Sequence, residues 1–527
     1  MSPEARSVSD FFLALERHVA WDGERPALSG AQETWSYLRL WREIARRVTW
    51  LAEHGIKRLA LDLSNGPELL AWDLAALRAG LPCIILPDFF SPAQRAHVLQ
   101  DCGADLLLGN PERAAEWTAA GFSEGPHGWQ RPAAAATALP AGTAKLTYTS
   151  GTTGTPKGAR RPEPKSWMPA SSIMSRIPLR HNRPAYLAAP LFHTWGFATA
   201  QLCIALRSTM ILRRHFEPSD ALRIIEAHNP HTIFLVPTML QRMLEVMPDD
   251  YDVSTSPLEI IASCGSAIPE HIVKQTLDRF GPVLYNQYGS TEVSWATIAT
   301  PDELAANPTT AGRAPLGTRI AIRDDEGNEL PEGETGRIFV GNGMLYEGYT
   351  RPGADKEIID GMVCTGDLGR LENGMLYISG REDDMIVSGG ENVFPRETED
   401  ALSDLPGVRE CCVYGVDDDR FGQALVAWVV RDASPEGQAL DDEKIRAHVK
   451  DRLARHSVPR ETVFMDELPR NAVGKVVPRM LPKPWEDGGE GGDGAGADAG
   501  ADAGAEASAT GGDGARLVGQ DRLRTAG

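Results

Sequence analysis

Residues 146–161, LTYTSGTTGTPKGARR, surround one lysine with glycines and hydroxyl side chains. The alternating run KLTYT before the glycines predicts a β-strand that ends in a turn. Glycine-containing turns leave backbone N–H groups unpaired, and these groups together with hydroxyls suit phosphate oxygens. Lys157 precedes Gly158, so the segment does not match the P-loop order of Gly, Lys and a hydroxyl residue. The segment predicts a phosphate-binding loop of another type; a Gly/Thr surface turn is the alternative.

The composition places limits on the partners. The chain has 527 residues, a hydrophobic share of 42% and a net charge of -20. Such an acidic protein is not expected to bind nucleic acid or anionic membranes non-specifically, so local positive groups must meet any polyanionic ligand. No apolar run approaches the roughly 18 residues that span a bilayer, and MSPEARSVSD does not resemble a signal peptide. We expect a cytoplasmic protein without an integral membrane segment.

The seven cysteines contain no C-x-x-C pair. This spacing indicates buried reduced thiols rather than a disulfide framework or a zinc site.

Short apolar segments alternate with helical patterns. RLALDLS precedes PELLAWDLAALRAG, TIFLVP precedes TMLQRMLE, and EIIASC precedes IPEHIVKQTLDRF. This alternation predicts a parallel α/β sheet, and ligands bind such sheets beyond the carboxyl ends of the strands. The loops TSGTTG, CGSAIP and YGSTE therefore predict one shared site.

The pattern changes after residue 382, where ECCVYGV, ALVAWVV and DDEKIRAHVKDRLARH predict a smaller α+β domain. Residues 486–527 begin with an acidic Gly/Ala/Asp segment that cannot bury enough apolar surface to fold. We predict an N-terminal domain over 1–382, a C-terminal domain over 383–485 and a disordered tail over 486–527.

The motifs YTSGTTGTPKG, APLFHTWG, NQYGSTE, CTGDLGR, GREDDMIVSGGENVFPRE and PRNAVGKV occur in this order. Their order resembles the adenylate-forming superfamily of acyl-CoA synthetases, luciferases and peptide-synthetase adenylation domains. The resemblance implies a large α/β N-terminal adenylation domain of several subdomains and a small mobile α+β C-terminal domain. It also implies ATP, Mg²⁺, CoA and a small-molecule carboxylic acid as ligands. The implied nucleotide and CoA positions are Thr149, Ser150, Gly151, Thr152, Thr153, Gly154, Lys157, Gly265, Ser266, Ala267, Asn286, Gln287, Tyr288, Gly289, Ser290, Asp367, Arg381, Gly389, Gly390 and Glu391.

The resemblance also implies individual roles. Thr291 would hydrogen-bond the α-phosphate, and Glu292 would hold Mg²⁺ because hard carboxylate oxygens suit that ion. Tyr288 would stack on adenine, Asn286 would bind its amino edge, and Asp367 would bind the ribose hydroxyls. In each case a structural role is the alternative: STE would cap a helix N-terminus, Tyr288 would be a core tyrosine, and Asp367 would be a turn residue.

The resemblance implies that two further residues act in different half-reactions. Lys475 matches the lysine that bridges the acyl carboxylate and the α-phosphate, although Val473 and Pro478 depart from the usual motif. Asp383 matches the hinge about which the small domain turns, bringing residues 388–392 to the site as part of a pantetheine tunnel.

The acid site is implied to include His193, Trp195 and Gly196 of APLFHTWGF, with His193 among the catalytic residues. This segment contains neither a carboxylate for an amine nor a cation for a second acid group, which predicts an apolar acid. Gly196 and Ala198 are expected to leave room behind the histidine. Trp195 is either a gate for the acyl chain or a core tryptophan.

We therefore predict an ATP-dependent synthetase that converts a medium- or long-chain fatty acid to acyl-CoA and releases AMP and pyrophosphate. One alternative is an aryl-acid CoA ligase, because GREDDMIVSGGENVFPRE also resembles halobenzoate and cinnamate ligases. A fatty-acyl-AMP ligase that loads a carrier protein is a second. A peptide-synthetase adenylation domain, a luciferase-like oxygenase and a non-catalytic nucleotide-binding protein are less favoured.

Replacement of Lys475 by alanine should abolish adenylate formation while sparing the conversion of supplied acyl-AMP and CoA to the thioester. The reason is that the lysine would stabilise migrating charge in the first half-reaction alone. Pyrophosphate exchange and thioester formation would be measured separately, and an equal loss of both would contradict the assignment.

Overall fold

The computed structural model describes residues 4–125, 128–131, 145–150, 156–162, 164, 166–251, 257–350, 353, 355–388, 391–418, 422–470, 476–477 and 480–483. The side chains of residues 4–9, 149, 150, 387, 391, 392, 417 and 422 lie outside this description. The architecture that follows is that of the compact unit Met1–Leu481.

The first part of the chain forms helices and mostly short strands. They are α1 (Glu4–Asp22), β1 (Pro26–Ser29), β2 (Thr34–Ser36), α2 (Tyr37–Glu53), β3 (Leu59–Asp62), α3 (Pro67–Ala79), β4 (Cys83–Ile85), α4 (Pro92–Cys102), β5 (Leu106–Gly109), α5 (Ala114–Ala119), β6 (Ser123–Gly125) and β7 (Gly128–Gln130).

The next part alternates strands and helices. Its elements are β8 (Lys145–Ser150), β9 (Pro156–Arg161), α6 (Met168–Met174), β10 (Ala185–Leu187), α7 (Thr194–Ala205), β11 (Met210–Leu212), α8 (Pro218–His228), β12 (Thr232–Leu235), α9 (Pro237–Glu245), β13 (Ile260–Cys264), α10 (Glu270–Phe280), β14 (Leu284–Tyr288), β15 (Thr297–Ala299) and α11 (Pro301–Ala306).

The last part consists of a strand-only segment and a smaller mixed segment. The former contains β16 (Arg319–Arg323), β17 (Gly336–Gly341), β18 (Ile358–Ile359), β19 (Met362–Glu372) and β20 (Met375–Arg381). The latter contains β21 (Ile386–Ser388), β22 (Glu391–Val393), α12 (Pro395–Ser403), β23 (Val408–Asp418), β24 (Gly422–Arg431), α13 (Pro435–Gln438), α14 (Asp442–Lys450) and β25 (Glu461–Met465).

Two large sheets form the body of the N-terminal domain. Within the described residues, one has the order β15-β14-β13-β12-β10-β11-β1-β2 and the other the order β6-β7-β5-β3-β4-β8-β9. The central neighbours of both sheets pair in parallel, and antiparallel strands close the edges. The predicted parallel α/β architecture, with a large N-terminal and a small C-terminal domain, is confirmed.

Strand alternation explains how the two sheets share a core. Leu59 and Leu61 of β3 belong to a cluster that also contains Leu187 of the other sheet, whereas Ala60 packs on the opposite side with α4. Both faces of β3 are therefore buried, as expected for a parallel strand covered on two sides. Helix α7 lies largely buried between the sheets, and this burial explains its nearly continuous apolar sequence.

Two features differ from the simple alternation. Strands β8 and β9 pair antiparallel from Lys145–Arg161 to Ser150–Pro156, so the predicted phosphate loop connects a hairpin. Strands β16–β20 form a separate antiparallel sheet, whose members come from a segment without the helical spacing that marks the α/β part.

The cysteines follow the prediction: all seven are free, and all except the half-buried Cys411 are buried. Within the described residues, no helix is both long and apolar enough to cross a membrane.

Candidate active site

A cleft of 1770 Å³ opens at the carboxyl ends of β12, β13 and β14. The β8–β9 hairpin, α7, β19, β20 and α12 complete its walls. Most described candidates line it, namely Lys157, His193, Trp195, Gly265, Ser266, Ala267, Asn286, Gln287, Tyr288, Gly289, Ser290, Thr291, Glu292, Asp367, Arg381 and Asp383. The loops CGSAIP and YGSTE therefore meet at the strand ends, whereas most of the loop TSGTTG lies outside the described residues.

Some candidates lie outside the described residues: Gly151, Thr152, Thr153, Gly154, Gly389, Gly390 and Lys475, together with the tail from residue 486. The same holds for the side chains of Thr149, Ser150 and Glu391.

Strand β14 presents a possible nucleoside surface. Asn286 and Tyr288 share one face of the strand, whereas Gln287 lies on the other, where its amide donates to the Cys264 sulfur at 3.7 Å. Oδ1 of Asn286 is buried and has no hydrogen-bond partner among the described residues. A buried orphan acceptor beside a cleft fits the exocyclic amino group of adenine, because an unmade hydrogen bond there costs free energy.

Tyr288 also joins β14 to β19. Its hydroxyl donates a hydrogen bond to the Asp367 carboxylate. Burial, reinforced by this carboxylate, raises the pKa of Tyr288 well above its usual range, so the hydroxyl stays a donor at neutral pH. Asp367 is paired in register with Arg381, which donates to both carboxylate oxygens of Asp383 at 3.0 and 3.1 Å. The ribose and hinge candidates thus lie together at one end of β20.

The turn after β14 carries the candidate metal ligand. The Glu292 carboxylate accepts a hydrogen bond from the Tyr349 hydroxyl, and the Glu292 N–H donates to Ser290 Oγ at 3.3 Å. Burial raises the pKa of Glu292, but the hydrogen bonds to Tyr349 and Ser290 outweigh it and leave that pKa below its usual value. Glu292 is therefore ionised at neutral pH and can bind a hard cation.

Arg161, a residue that the sequence patterns did not single out, fixes this turn. It is 6% exposed, and its guanidinium donates to the Thr291 carbonyl and to the Ser294 hydroxyl. Burial lowers the pKa of Arg161 to about 10, so the side chain remains charged at neutral pH. Ser294 has a φ of 64°, a left-handed conformation that is uncommon outside glycine and that these bonds hold in place.

The preceding residue clamps a second segment. Arg160 points to the opposite side of β9 and donates to the Tyr349 carbonyl at 2.7 Å and to the Glu347 carbonyl. Strand β9 therefore holds both the turn that carries Glu292 and the tyrosine that supports its carboxylate.

The predicted acid-binding segment needs one correction. Gly196 does not line the cleft, and a Cβ built on it would lie 2.1 Å from the Pro190 carbonyl oxygen. This glycine allows α7 to approach the preceding loop rather than leaving room for an acyl chain, so that part of the prediction was wrong. His193 is the N-cap residue of α7 and packs against Phe192, with ring centroids 4.6 Å apart.

Trp195 is anchored in the core. Its indole N–H donates to the Leu235 carbonyl at 3.2 Å, and its ring packs edge-on against Phe234 with centroids 5.6 Å apart. These contacts support the core interpretation over the gate, because a swinging indole would lose both.

The cleft wall also carries a buried charge that the acid-binding motif did not predict. Lys145 is 7% exposed, lines the cleft and forms an ion pair with Asp73 of α3. Its ammonium nitrogen lies 4.3 Å from the ring centroid of Phe197 on α7. The segment APLFHTWGF itself contains no Lys or Arg, as the sequence shows, and this cation comes from another element.

The comparisons with known families place the chain. Residues 15–350 match the model of the AMP-binding enzyme, and residues 397–475 match that of the AMP-binding enzyme C-terminal domain. The chain belongs to the AMP-binding enzyme family. The prediction of a member of the adenylate-forming superfamily is thereby confirmed, and the CoA ligases among its relatives confirm an AMP-forming acid–thiol ligase.

Relatives with curated functions cover most of the chain. An indoleacetate–CoA ligase of Aromatoleum aromaticum is 29% identical, over 88% of this chain and 95% of its own length. A feruloyl-CoA synthase of Amycolatopsis is 31% identical, over 84% and 92%. A medium/long-chain-fatty-acid–CoA ligase of Mycobacterium tuberculosis is 34% identical, but over 63% of this chain and 59% of that one.

Solved structures agree on the fold. The o-succinylbenzoate CoA synthetase of Bacillus subtilis, determined with its acyl-adenylate intermediate, has a TM-score of 0.76 and 27% identity. The similarity covers 89% of this chain and 98% of the synthetase.

Three residues of the site were missed by sequence reasoning. Arg161 carried a signal, because two adjacent arginines in a short strand must point to opposite faces, and one of them then faces the interior. The sequence around Tyr349 and Lys145 contains no such signal, because each residue reaches the cleft through contacts with distant parts of the chain.

We expect Tyr349→Phe to shift the acid limb of the pH–rate profile to higher pH. Without the tyrosine hydroxyl, burial dominates and the pKa of Glu292 rises, so the carboxylate becomes protonated at a higher pH. ATP–pyrophosphate exchange followed from about pH 4 to 8 measures the shift, because the acid limb of the unaltered protein lies below the ordinary glutamate pKa of about 4.3. Tyr346→Phe is the matched control, because that hydroxyl accepts from the Lys356 N–H at 2.6 Å. An unmoved acid limb in Tyr349→Phe would contradict the role of the hydroxyl.

We expect Arg161→Lys to lower the rate of adenylate formation by about 10- to 100-fold, because a single ammonium cannot replace the two-pronged contact that positions Thr291 and Glu292. The measurement is ATP–pyrophosphate exchange at saturating ATP, with the melting temperature recorded in parallel. Arg42→Lys, at an exposed position of α2, is the control. An exchange rate equal to that of the control would refute the positioning role.

Proposed function

We propose that this chain is an aryl-acid CoA ligase that couples an aryl or arylalkanoic acid to CoA through an acyl adenylate, releasing AMP and pyrophosphate. The relatives with aryl-acid names match it over nearly their full lengths, whereas the fatty-acid ligase matches over a shorter segment. The aryl alternative therefore takes precedence over the fatty-acid reading that the sequence motifs first favoured.

The observation that carries the proposal is the chemistry of the cleft wall beyond His193. The aromatic ring of Phe197 and the ammonium of Lys145, which is paired with Asp73 behind it, border this part of the cleft. A ring in the substrate can pack against Phe197, and an oxygen substituent can meet the ammonium. A long alkyl chain would leave the charged group without a new polar partner.

Glu292 is the residue proposed to hold Mg²⁺. Among the described residues, no group of three or more His, Cys, Asp or Glu side chains could form a complete metal cage. A single ionised carboxylate together with substrate phosphates is an arrangement that Mg²⁺ commonly adopts. When bound, the ion would neutralise phosphate charge.

The residues of the cleft suggest how the first half-reaction proceeds. Asn286 and Tyr288 would hold the adenine, and Asp367 would bind the ribose hydroxyls. Thr291 would orient the α-phosphate, so that the acid carboxylate attacks its phosphorus and pyrophosphate leaves. Lys475 is proposed to bridge the two anionic reactants, and His193 to line the acid.

The second half-reaction is assigned to a different orientation of the small domain. The domain boundaries 1–382 and 383–485 would place the hinge at Asp383, directly after β20. Turning there would bring residues 388–392 to the cleft, where the CoA thiolate attacks the acyl carbonyl and AMP leaves.

Medium- or long-chain fatty acids are the second candidate substrates. Besides the shorter match to the mycobacterial enzyme, the cleft-lining face of α7 continues to Leu202 and Ala205. This apolar extension could accommodate an alkyl chain.

We expect CoA-dependent pyrophosphate release to be fastest with an aryl acid. The test compares acetate, octanoate, palmitate, benzoate, indoleacetate and 4-hydroxycinnamate, each with and without CoA. Best turnover with octanoate or palmitate would favour the second candidate, and turnover indifferent to CoA would favour a carrier-loading ligase. Both outcomes would overturn the proposal.

A further inference from the structure

Lys145 occupies an unusual place for a buried lysine. It begins β8, the strand that leads to the phosphate loop, and it shares one face of that strand with Thr147. Both residues line the cleft. The ammonium is thus presented to the same space that leads toward the reacting carboxylate.

Helix α7 shows how far into the cleft Lys145 lies from His193. Cleft-lining residues run along the helix from Thr194 to Ala205, and Thr194, Phe197, Ala198, Gln201 and Leu202 among them follow helical spacing. Lys145 lies over Phe197, which is about one turn, roughly 5 Å, beyond the start of the helix beside His193. A single aromatic ring attached to an acid bound at His193 would place its distal substituents at this depth.

Asp73 holds the lysine from behind. Asp73 is 3% exposed and does not line the cleft, whereas Lys145 does. An ammonium has three N–H donors, and within the described part of the chain the Asp73 carboxylate is the hydrogen-bond acceptor assigned to it. Donor capacity therefore remains on the cleft side.

Stability alone is a weak explanation for the pair. Replacing a buried ion pair with apolar residues of similar volume is often neutral or stabilising, because desolvation offsets the attraction. At a cleft, however, the Lys145–Asp73 pair provides a hydrogen-bond donor that is already oriented. The ammonium is already desolvated when the protein folds, so a ligand does not have to desolvate it on binding.

We propose that Lys145, oriented by Asp73, binds an oxygen acceptor on the distal part of the acid, such as a phenolic oxygen or a second carboxylate. The inference rests on the proposed aryl-acid function and specifies which aryl acids the site prefers. Lys145 would act as a specificity residue, since it lies away from the bonds that form and break.

The test uses three matched acids: cinnamate, 4-hydroxycinnamate and 4-carboxycinnamate. In the double variant Asp73→Leu/Lys145→Met, we expect kcat/KM for the best substituted acid to fall at least tenfold more than kcat/KM for cinnamate. A larger loss with the carboxy acid would identify an anionic ligand, and a larger loss with the hydroxy acid a neutral one. An unchanged ratio would refute the role of Lys145.

A second variant keeps the lysine and guards against misfolding of the first. Asp73→Asn weakens the internal pair, so the preference for the substituted acid favoured in the first test over cinnamate should rise severalfold; an unchanged or smaller preference would count against the inference. Arg113→Met is the control, because it disrupts the Arg113–Asp62 pair, whose two members lie outside the cleft lining. Its kcat/KM ratios between the substituted acids and cinnamate should equal those of the wild type.

The two proposals fail in different ways. Absence of CoA-dependent turnover with all three acids in the unmodified chain would refute the aryl-acid function. Turnover with ratios that the Lys145 variants leave unchanged would refute the specificity role alone.

Discussion

The arrangement of the cleft depends on the buried guanidinium of Arg161. This side chain extends from the strand that follows the phosphate-loop segment and binds the turn that carries Thr291 and Glu292. The two regions are 130 residues apart along the chain. A planar fork with several donors can fix a carbonyl and a hydroxyl simultaneously, and burial makes such contacts geometrically strict. Strand β9 and the turn that carries Thr291 and Glu292 are thereby held as one unit.

The carboxylates of Glu292 and Asp367, both candidate ligand-binding groups, are each supported by a tyrosine hydroxyl. Tyr349 donates its hydroxyl to Glu292, and Tyr288 donates to Asp367. A neutral donor supports each carboxylate without cancelling its charge, so the carboxylate stays able to bind a cation or a sugar hydroxyl. This local arrangement matters in a chain of net charge -20, where the overall field repels the anionic substrates.

The predicted acid-binding segment shows how residues of a motif can be misinterpreted when only the sequence is known. Gly196 and Trp195 belong to the expected segment, yet one serves a close backbone approach and the other anchors α7 to β12. The charge that gives this wall its chemical character comes from β8 and α3 instead. The charge at this wall is therefore set by a contact between two elements rather than by the motif.

The sequence by itself determined the family and the parallel α/β plan, and it identified CGSAIP and YGSTE as loops that meet at the cleft. Glycine turns, strand periodicity and motif order are local properties, so they can be read without a fold. Only the tertiary structure decided that Arg161 holds the Thr291–Glu292 turn, that Tyr349 supports Glu292 and that Lys145 lines the cleft. Each of these depends on side chains brought together across 57 to 130 residues. Burial then sets the strength of those contacts, and burial is a property of the packed molecule rather than of any segment.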